Sequence, residues 1–184
     1  MADPRWTLTP TDDAVLEIRT DVTGKAATMG HRLTIEVTRW RADVRGDDDR
    51  PTSVELTAEV DSLDVVHGEG GVTPLLGPEK AVARSNALKT LDAKRHPRIV
   101  FRADTIDTTG SGMRLRGTLE IHGVTRDHTV ELTVEEDGAT RRLSTESVVR
   151  QTDFDVKPYS QLLGAMKVVD EVTVAFTATV PADD

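Results

Sequence analysis

Ser53 to Asp61 reads SVELTAEVD, and its apolar residues occupy every second position: Val54, Leu56, Ala58 and Val60 alternate with Glu55, Thr57, Glu59 and Asp61. Successive side chains of a strand point to opposite faces, so this order gives one apolar and one polar face, whereas a helix scatters both sets. The same phase recurs along the chain. It appears in Leu16 and Ile18; in Leu33, Ile35 and Val37; in Ile99, Phe101 and Ala103; and in Met113, Leu115, Leu119 and Ile121. It continues in Val130, Leu132 and Val134, and in Val172, Val174, Phe176, Ala178 and Val180. A short piece at Trp6 to Thr9 and a mixed strand near Leu143 to Gln151 bring the expectation to about eight or nine strands.

Turn residues separate the runs at Gly46 to Pro51 (GDDDRP), Gly110 to Gly112, Gly123 to Asp127 and Asp137-Gly138. No compositional shift marks a linker, and the pattern predicts one domain over residues 1–184. Long two-faced strands in a meander close into a barrel more readily than they leave edges exposed. The expected fold is therefore all-β, an extended eight-stranded antiparallel barrel. Gly77-Pro78-Glu79, an N-cap followed by Pro at the first helical position and an acid in the first turn, predicts a helix through KAVARSNALKTLD. A second helical turn is expected around Pro158 to Gly164, so one or two short helices cap the barrel ends.

Composition removes whole classes of function. Twenty-three Lys and Arg against 32 Asp and Glu give a formal charge of -9, which opposes the counterion release that drives nucleic-acid binding. The absence of cysteine removes disulfides, thiolate metal sites and cysteine nucleophiles. No run approaches the roughly 18 apolar residues of a spanning helix. The start, MADPRWTLTP with its initiator-like Met1, has neither a basic n-region nor an apolar h-region, so the expected location is cytoplasmic.

Catalytic and metal motifs are scarce. His122 and His128 flank a hairpin turn but differ in parity, so they should point to opposite sides of the sheet, and no further ligand spacing accompanies either. His31 and His128 share parity with apolar neighbours and are expected as polar groups near a barrel rim. Asp153 and Asp155 lie two apart without any sign of divided acid and base roles. There is no G-x-S-x-G elbow, P-loop or G-x-G-x-x-G. Neither a metal nor a cofactor is expected.

The inward face remains as the carrier of function. An eight-stranded barrel is just wide enough to be filled by side chains or to hold one small ligand, and physics alone leaves the two open. The lumen candidates are Leu16, Ile18, Leu33, Ile35, Val37, Leu56, Val60, Phe101, Leu115, Leu119, Ile121, Leu132, Val174 and Phe176. Phe154, Leu162, Leu163 and Met166 are the candidate lid residues.

An ordered set of short motifs, Trp6-Thr7-Leu8, Gly30-His31-Arg32-Leu33-Thr34-Ile35, Val60-Asp61-Ser62-Leu63 and His96-Pro97-Arg98-Ile99-Val100-Phe101, is followed by Gly117 to Thr125 (GTLEIHGVT) and Gln151-Thr152-Asp153-Phe154. Lys157-Pro158-Tyr159-Ser160, Leu163-Gly164-Ala165 and Val169-Asp170-Glu171-Val172 complete it. In order and spacing this set resembles the YceI family over about residues 6 to 180. The resemblance implies a lipocalin-like barrel whose lumen takes an isoprenoid chain, such as a polyprenyl lipid or a quinone tail, with no catalytic activity attached. Many members are periplasmic and several look dimeric, which makes a homodimer an expectation. Arg32 stands where the family usually has an acid, Asp155 where it has glycine, and Thr90 and Leu91 where aromatics are common, so head-group preference is expected to differ. Two other readings stand beside lipid carriage: a dry-cored barrel serving as an interaction or stress-response scaffold, and an enzyme using His31 or His128 with a nearby carboxylate.

Overall fold

The alternation at Ser53–Asp61 forms one arm of a long hairpin that bends halfway along its length. In the computed structural model, which describes residues 6–11, 13–47 and 50–182, the chain runs through strands Trp6–Leu8 (β1), Ala14–Arg19 (β2), Val22–Thr23 (β3), His31–Val37 (β4), Trp40–Asp47 (β5), Arg50–Glu59 (β6) and Leu63–Gly70 (β7). Helix Gly77–Thr90 (α1) precedes Arg98–Thr108 (β8), Gly112–Ile121 (β9), Val124–Asp137 (β10) and Thr140–Arg150 (β11). Ser160–Gln161 (β12), Met166–Val168 (β13) and Glu171–Pro181 (β14) complete the order. Met1, and Asp48 and Asp49 of the expected 46–51 turn, lie outside the described residues.

The main sheet is an antiparallel half-barrel with the strand order β1-β5-β6-β8-β9-β10-β11-β14-β2-β4-β7. It contains eleven strands, not the expected eight, and the difference has a local cause. β4 and β5 are separated only by Thr38-Arg39, and β6 and β7 only by a single 3₁₀ turn at Val60–Ser62. Each pair is one long run of chain broken at a bend, and β1 adds a short edge strand. Across the bend, the Thr38 N–H donates to the Ser62 carbonyl at 3.1 Å and the Glu59 N–H donates to the Arg39 carbonyl at 3.0 Å, so pairing survives the corner. One half of the bent hairpin pairs with β8 and the other half with β2, which curls the sheet. Ser62 anchors the corner: it is 3% exposed, and its hydroxyl donates to the Glu59 carbonyl at 2.7 Å.

Register follows the inward parity. Ile35 lies opposite Ile18, Ile18 opposite Val174 and Val174 opposite Ser147. On the other side Leu56 faces Phe101, which faces Leu119. Register shifts at Thr34/Ile35 and Ala103/Thr105 mark bulges that re-aim the chain, as bulges do in curled sheets. The interior forms two buried clusters, one around Leu16, Ile35, Trp40 and Leu63, the other around Phe101, Leu119, Val149 and Phe154.

α1 begins at Gly77 with Pro78 in its first turn and Glu79 beside it, as expected, although its N-cap is Leu76 and not Gly77. It packs along β7, where Lys80 Nζ donates to the Val66 carbonyl at 2.9 Å and Arg84 Nε to the Leu63 carbonyl at 2.7 Å. The second expected helix shrinks to a three-residue 3₁₀ turn at Leu162–Gly164, where Leu162 and Leu163 both adopt positive φ. β13 pairs with β12 on one side and β3 on the other in a small three-stranded sheet. Among the described residues no helix is long and apolar enough to cross a membrane.

Candidate functional site: an apolar cavity within the curled sheet

The inward face does not close on itself. It surrounds a cavity of about 720 Å³, within the roughly 300–1,000 Å³ usual for small-molecule sites. The wall is built strand by strand: Leu16 and Ile18 from β2, Leu33, Ile35 and Val37 from β4, Leu56 from β6, Phe101 from β8, Leu115, Leu119 and Ile121 from β9. Leu132 of β10, Met166 of β13, Val174 and Phe176 of β14, and Phe154 from the turn after β11 complete the sequence-derived set that lines it. Ile18, Leu33, Leu56, Val174 and Phe176 carry inward parity yet are only partly buried. A close-packed core would cover such residues with side chains; here part of their surface faces open cavity.

Three expected residues stand elsewhere. Leu162 and Leu163 are 53% and 109% exposed, because left-handed backbone at both positions turns the chain outward, and neither lines the cavity. Val60 is 2% exposed and sits in the solid core, since the 3₁₀ turn at the hairpin bend takes it out of the strand phase. The structure also brings in residues that the strand count missed. Leu8, Val44 and Val54 extend the wall along β1, β5 and β6, and α1 contributes Val82, Ala83, Asn86 and Ala87, with Leu91 just beyond its end. Met29 and Val82 line the cavity while 51% and 60% exposed, which locates its opening between α1 and the segment before β4.

Polar groups in the wall are few and placed. His31 and His128 both line the cavity, as their parity requires. His31 Nε2 lies 2.8 Å from the Thr73 carbonyl, and a Cβ on Gly71 would collide with the His31 ring, so glycine there lets the ring lie against the β7–α1 connection. His128 Nε2 is 3.1 Å from Ser147 Oγ on the neighbouring strand, with its ring edge-on to Phe101. Burial holds the His128 imidazole below its ordinary value of 6.5, because the protonated ring would sit among apolar neighbours. Thr145, two residues from Ser147 on the same face, also lines the cavity, and its hydroxyl is buried without a hydrogen-bond partner. His128, Ser147 and Thr145 thus form one polar patch in a mostly apolar wall. A histidine next to a serine is the start of a nucleophile–base pair, but activation also needs a group that orients the ring. The His128 ring meets the Ser147 hydroxyl and the Phe101 ring, and neither is the carboxylate that would serve that purpose. His122 stands apart from His128 outside the cavity wall, on the β9–β10 turn with φ 55°.

Arg126 anchors the turn that carries Phe154. Its Nε donates to the Asp153 carbonyl at 2.9 Å, tying β10 to the 3₁₀ turn Gln151–Phe154 that carries Phe154. Thr152 is held in turn by Asp170, whose carboxylate accepts from the Thr152 hydroxyl at 2.6 Å and its N–H at 2.9 Å. Asp155 ends the turn in the left-handed region, at φ 55°, so Asp153 and Asp155 do not share a face as they would in a strand.

The sequence model of the YceI-like domain matches residues 6–180. The chain belongs to the YceI-like family. Among solved structures, the Burkholderia cenocepacia protein BcnA is similar at a TM-score of 0.67, with 20% identity over 91% of this chain and 96% of that one. The Campylobacter jejuni YCEI protein is similar at 0.60, with 12% identity over 82% of this chain and 85% of that one. At these identities the likeness concerns the fold. No curated protein matches in sequence.

Proposed function

We propose that this YceI-like protein binds and carries an elongated apolar molecule, an isoprenoid lipid or quinone tail, inside the half-barrel without altering it chemically. The observation that supports this reading is the aliphatic cavity of about 720 Å³ bounded by inward strand residues. Burying about ten methylenes there corresponds to roughly 8 kcal/mol of transfer free energy before association costs, which is enough for micromolar affinity. The polar patch of His128, Ser147 and Thr145 gives a carbonyl or hydroxyl on the guest a place to hydrogen-bond, and the buried Thr145 hydroxyl has a hydrogen bond still to make. Carriage is favoured over catalysis because the contacts of the His128 ring, the Ser147 hydroxyl and the Phe101 ring, do not include a carboxylate to orient it, and His31 is bound to a backbone carbonyl.

The decisive experiment titrates delipidated protein with a quinone bearing an isoprenoid tail and, separately, with the tail-less quinone. Saturable binding of the first and much weaker binding of the second is the expected outcome. Equal binding of both sinks the proposal by showing that the tail is not what is recognised, and binding of neither favours a scaffold whose function lies on its outer face.

A further inference from the structure

One cluster of chemically capable side chains lies outside the cavity wall. Asp92 follows the C-terminus of α1, His96 stands four residues later in the same connection, and His122 is the first residue of the β9–β10 turn. One ligand-type atom from each, a carboxylate oxygen and two ring nitrogens, lies within 4.8 Å of the others. The two imidazoles pack with centroids 4.6 Å apart at 60°. His122 Nδ1 is buried and has no hydrogen-bond partner. An imidazole nitrogen taken out of water without a partner is costly, and burial of such an atom calls for an explanation.

The backbone holds the three in place. Asp92 and His122 both adopt left-handed conformations, at φ 47° and 55°, and the His96 N–H donates to the Asp92 carbonyl at 2.9 Å. A Cβ on Gly123 would come within 2.9 Å of His96 Cε1, so glycine in the turn makes room for that ring. The Asp92 carboxylate is met at 3.5 Å by Arg95, whose side chain is 80% exposed and free to swing away.

We propose that Asp92, His96 and His122 form a binding site for a divalent transition-metal ion of the zinc class. Two imidazoles and one carboxylate suit zinc, cobalt or nickel rather than the harder magnesium or calcium. Ligand bonds of about 2.0–2.2 Å in tetrahedral geometry put donor atoms roughly 3.4 Å apart, so separations within 4.8 Å need to close by about 1.4 Å at most, a distance on the scale of a side-chain rotation. The fourth position is left to water. Leu91 and Ile121, the residues immediately before two of the ligands, both line the cavity. An ion here ties the end of the cavity-lining helix to the β9–β10 hairpin, cross-linking the wall from outside.

The test uses metal-free full-length protein and cobalt(II) alone. Expected is saturable uptake of one ion per chain with the visible absorption of tetrahedral cobalt, displaced by zinc(II). His96→Gln and Asp92→Asn should each weaken it about 10-fold or more. His67→Gln should leave it unchanged; His67 is exposed and 3.5 Å from Glu69, and is the natural site of adventitious binding. Nickel(II) added to isotope-labelled wild type gives a readout that needs no variant: amide signals at residues 92–96 and 121–123 should broaden first. No saturable cobalt binding, binding lost with His67→Gln, or broadening centred on residues 67–69 each overturns the proposal.

Discussion

Ile35→Trp places an indole in the middle of the cavity wall. Ile35 is 5% exposed, pairs with Ile18 and Val65, and lines the cavity beside the β4 bulge. In a close-packed interior such an insertion costs about 1–3 kcal/mol or more, because neighbours must leave their rotamers. Here about six added heavy atoms meet a void of about 720 Å³, and the contacts they gain, at roughly 0.1–0.2 kcal/mol each, offset the local strain. Ligand-free variant and wild type should therefore differ by less than about 1 kcal/mol. Binding responds in the opposite sense. An indole occupying the space of about four methylenes removes roughly 3 kcal/mol of transfer free energy, close to a 100-fold loss of affinity. The assay pairs denaturant unfolding of delipidated proteins with a titration of a polyprenyl or quinone analogue. A variant destabilised by more than about 3 kcal/mol that binds the analogue as wild type does would refute the reasoning.

Met29→Asp, at the mouth, should slow uptake of an apolar ligand in a stopped-flow mixing experiment while changing stability by no more than about 0.5 kcal/mol, since the residue is half exposed. Leu163→Ser should alter neither binding nor stability beyond that same margin, because the side chain lies wholly in solvent; a large loss of affinity would restore it as a lid. Gly117→Ala should cost about 2–4 kcal/mol in chemical denaturation, since its Cβ would overlap the Arg102 carbonyl across the β8–β9 ladder. His128 gives a pH signature: its folded-state pKa lies below 6.5, so the unfolded chain takes up the proton first. The stability it protects is complete above about pH 6.5 and is lost progressively as pH falls from there toward the lower folded value. His128→Gln should flatten that part of the stability profile, and an unchanged slope would show that the folded state does not depress the imidazole.

Period-two alternation carried most of the architecture because a one-residue slip moves a whole apolar set to the wrong face. That is why Leu16, Ile35, Leu56, Phe101 and Leu119 could be placed inward from sequence alone. The strand number was less legible: nothing in the run from His31 to Asp47 distinguishes a straight strand from one bent at Thr38-Arg39. Val60 continues the phase of Val54, Leu56 and Ala58 in sequence, yet the corner at Ser62 moves it into solid core. Leu162 and Leu163 read as lid residues because they are apolar and lie in the helical turn expected to cap a barrel end. Their positive φ, unusual for leucine, could not be anticipated. The cavity depends on volumes summed across strands far apart in sequence, so alternation alone could not separate it from a filled core. His96 and His122 illustrate the same limit, since the whole β8–β9 hairpin intervenes in sequence and hides the meeting of the helix end with the next turn.

The most direct test of lipid carriage is native mass spectrometry of freshly purified protein, coupled to organic extraction of whatever dissociates. The cavity predicts a non-covalent adduct that extraction releases as a long apolar molecule, and that Ile35→Trp protein lacks. Wild type appearing only at the mass of the bare chain, and remaining so after incubation with a tailed quinone or polyprenyl lipid, would contradict the account.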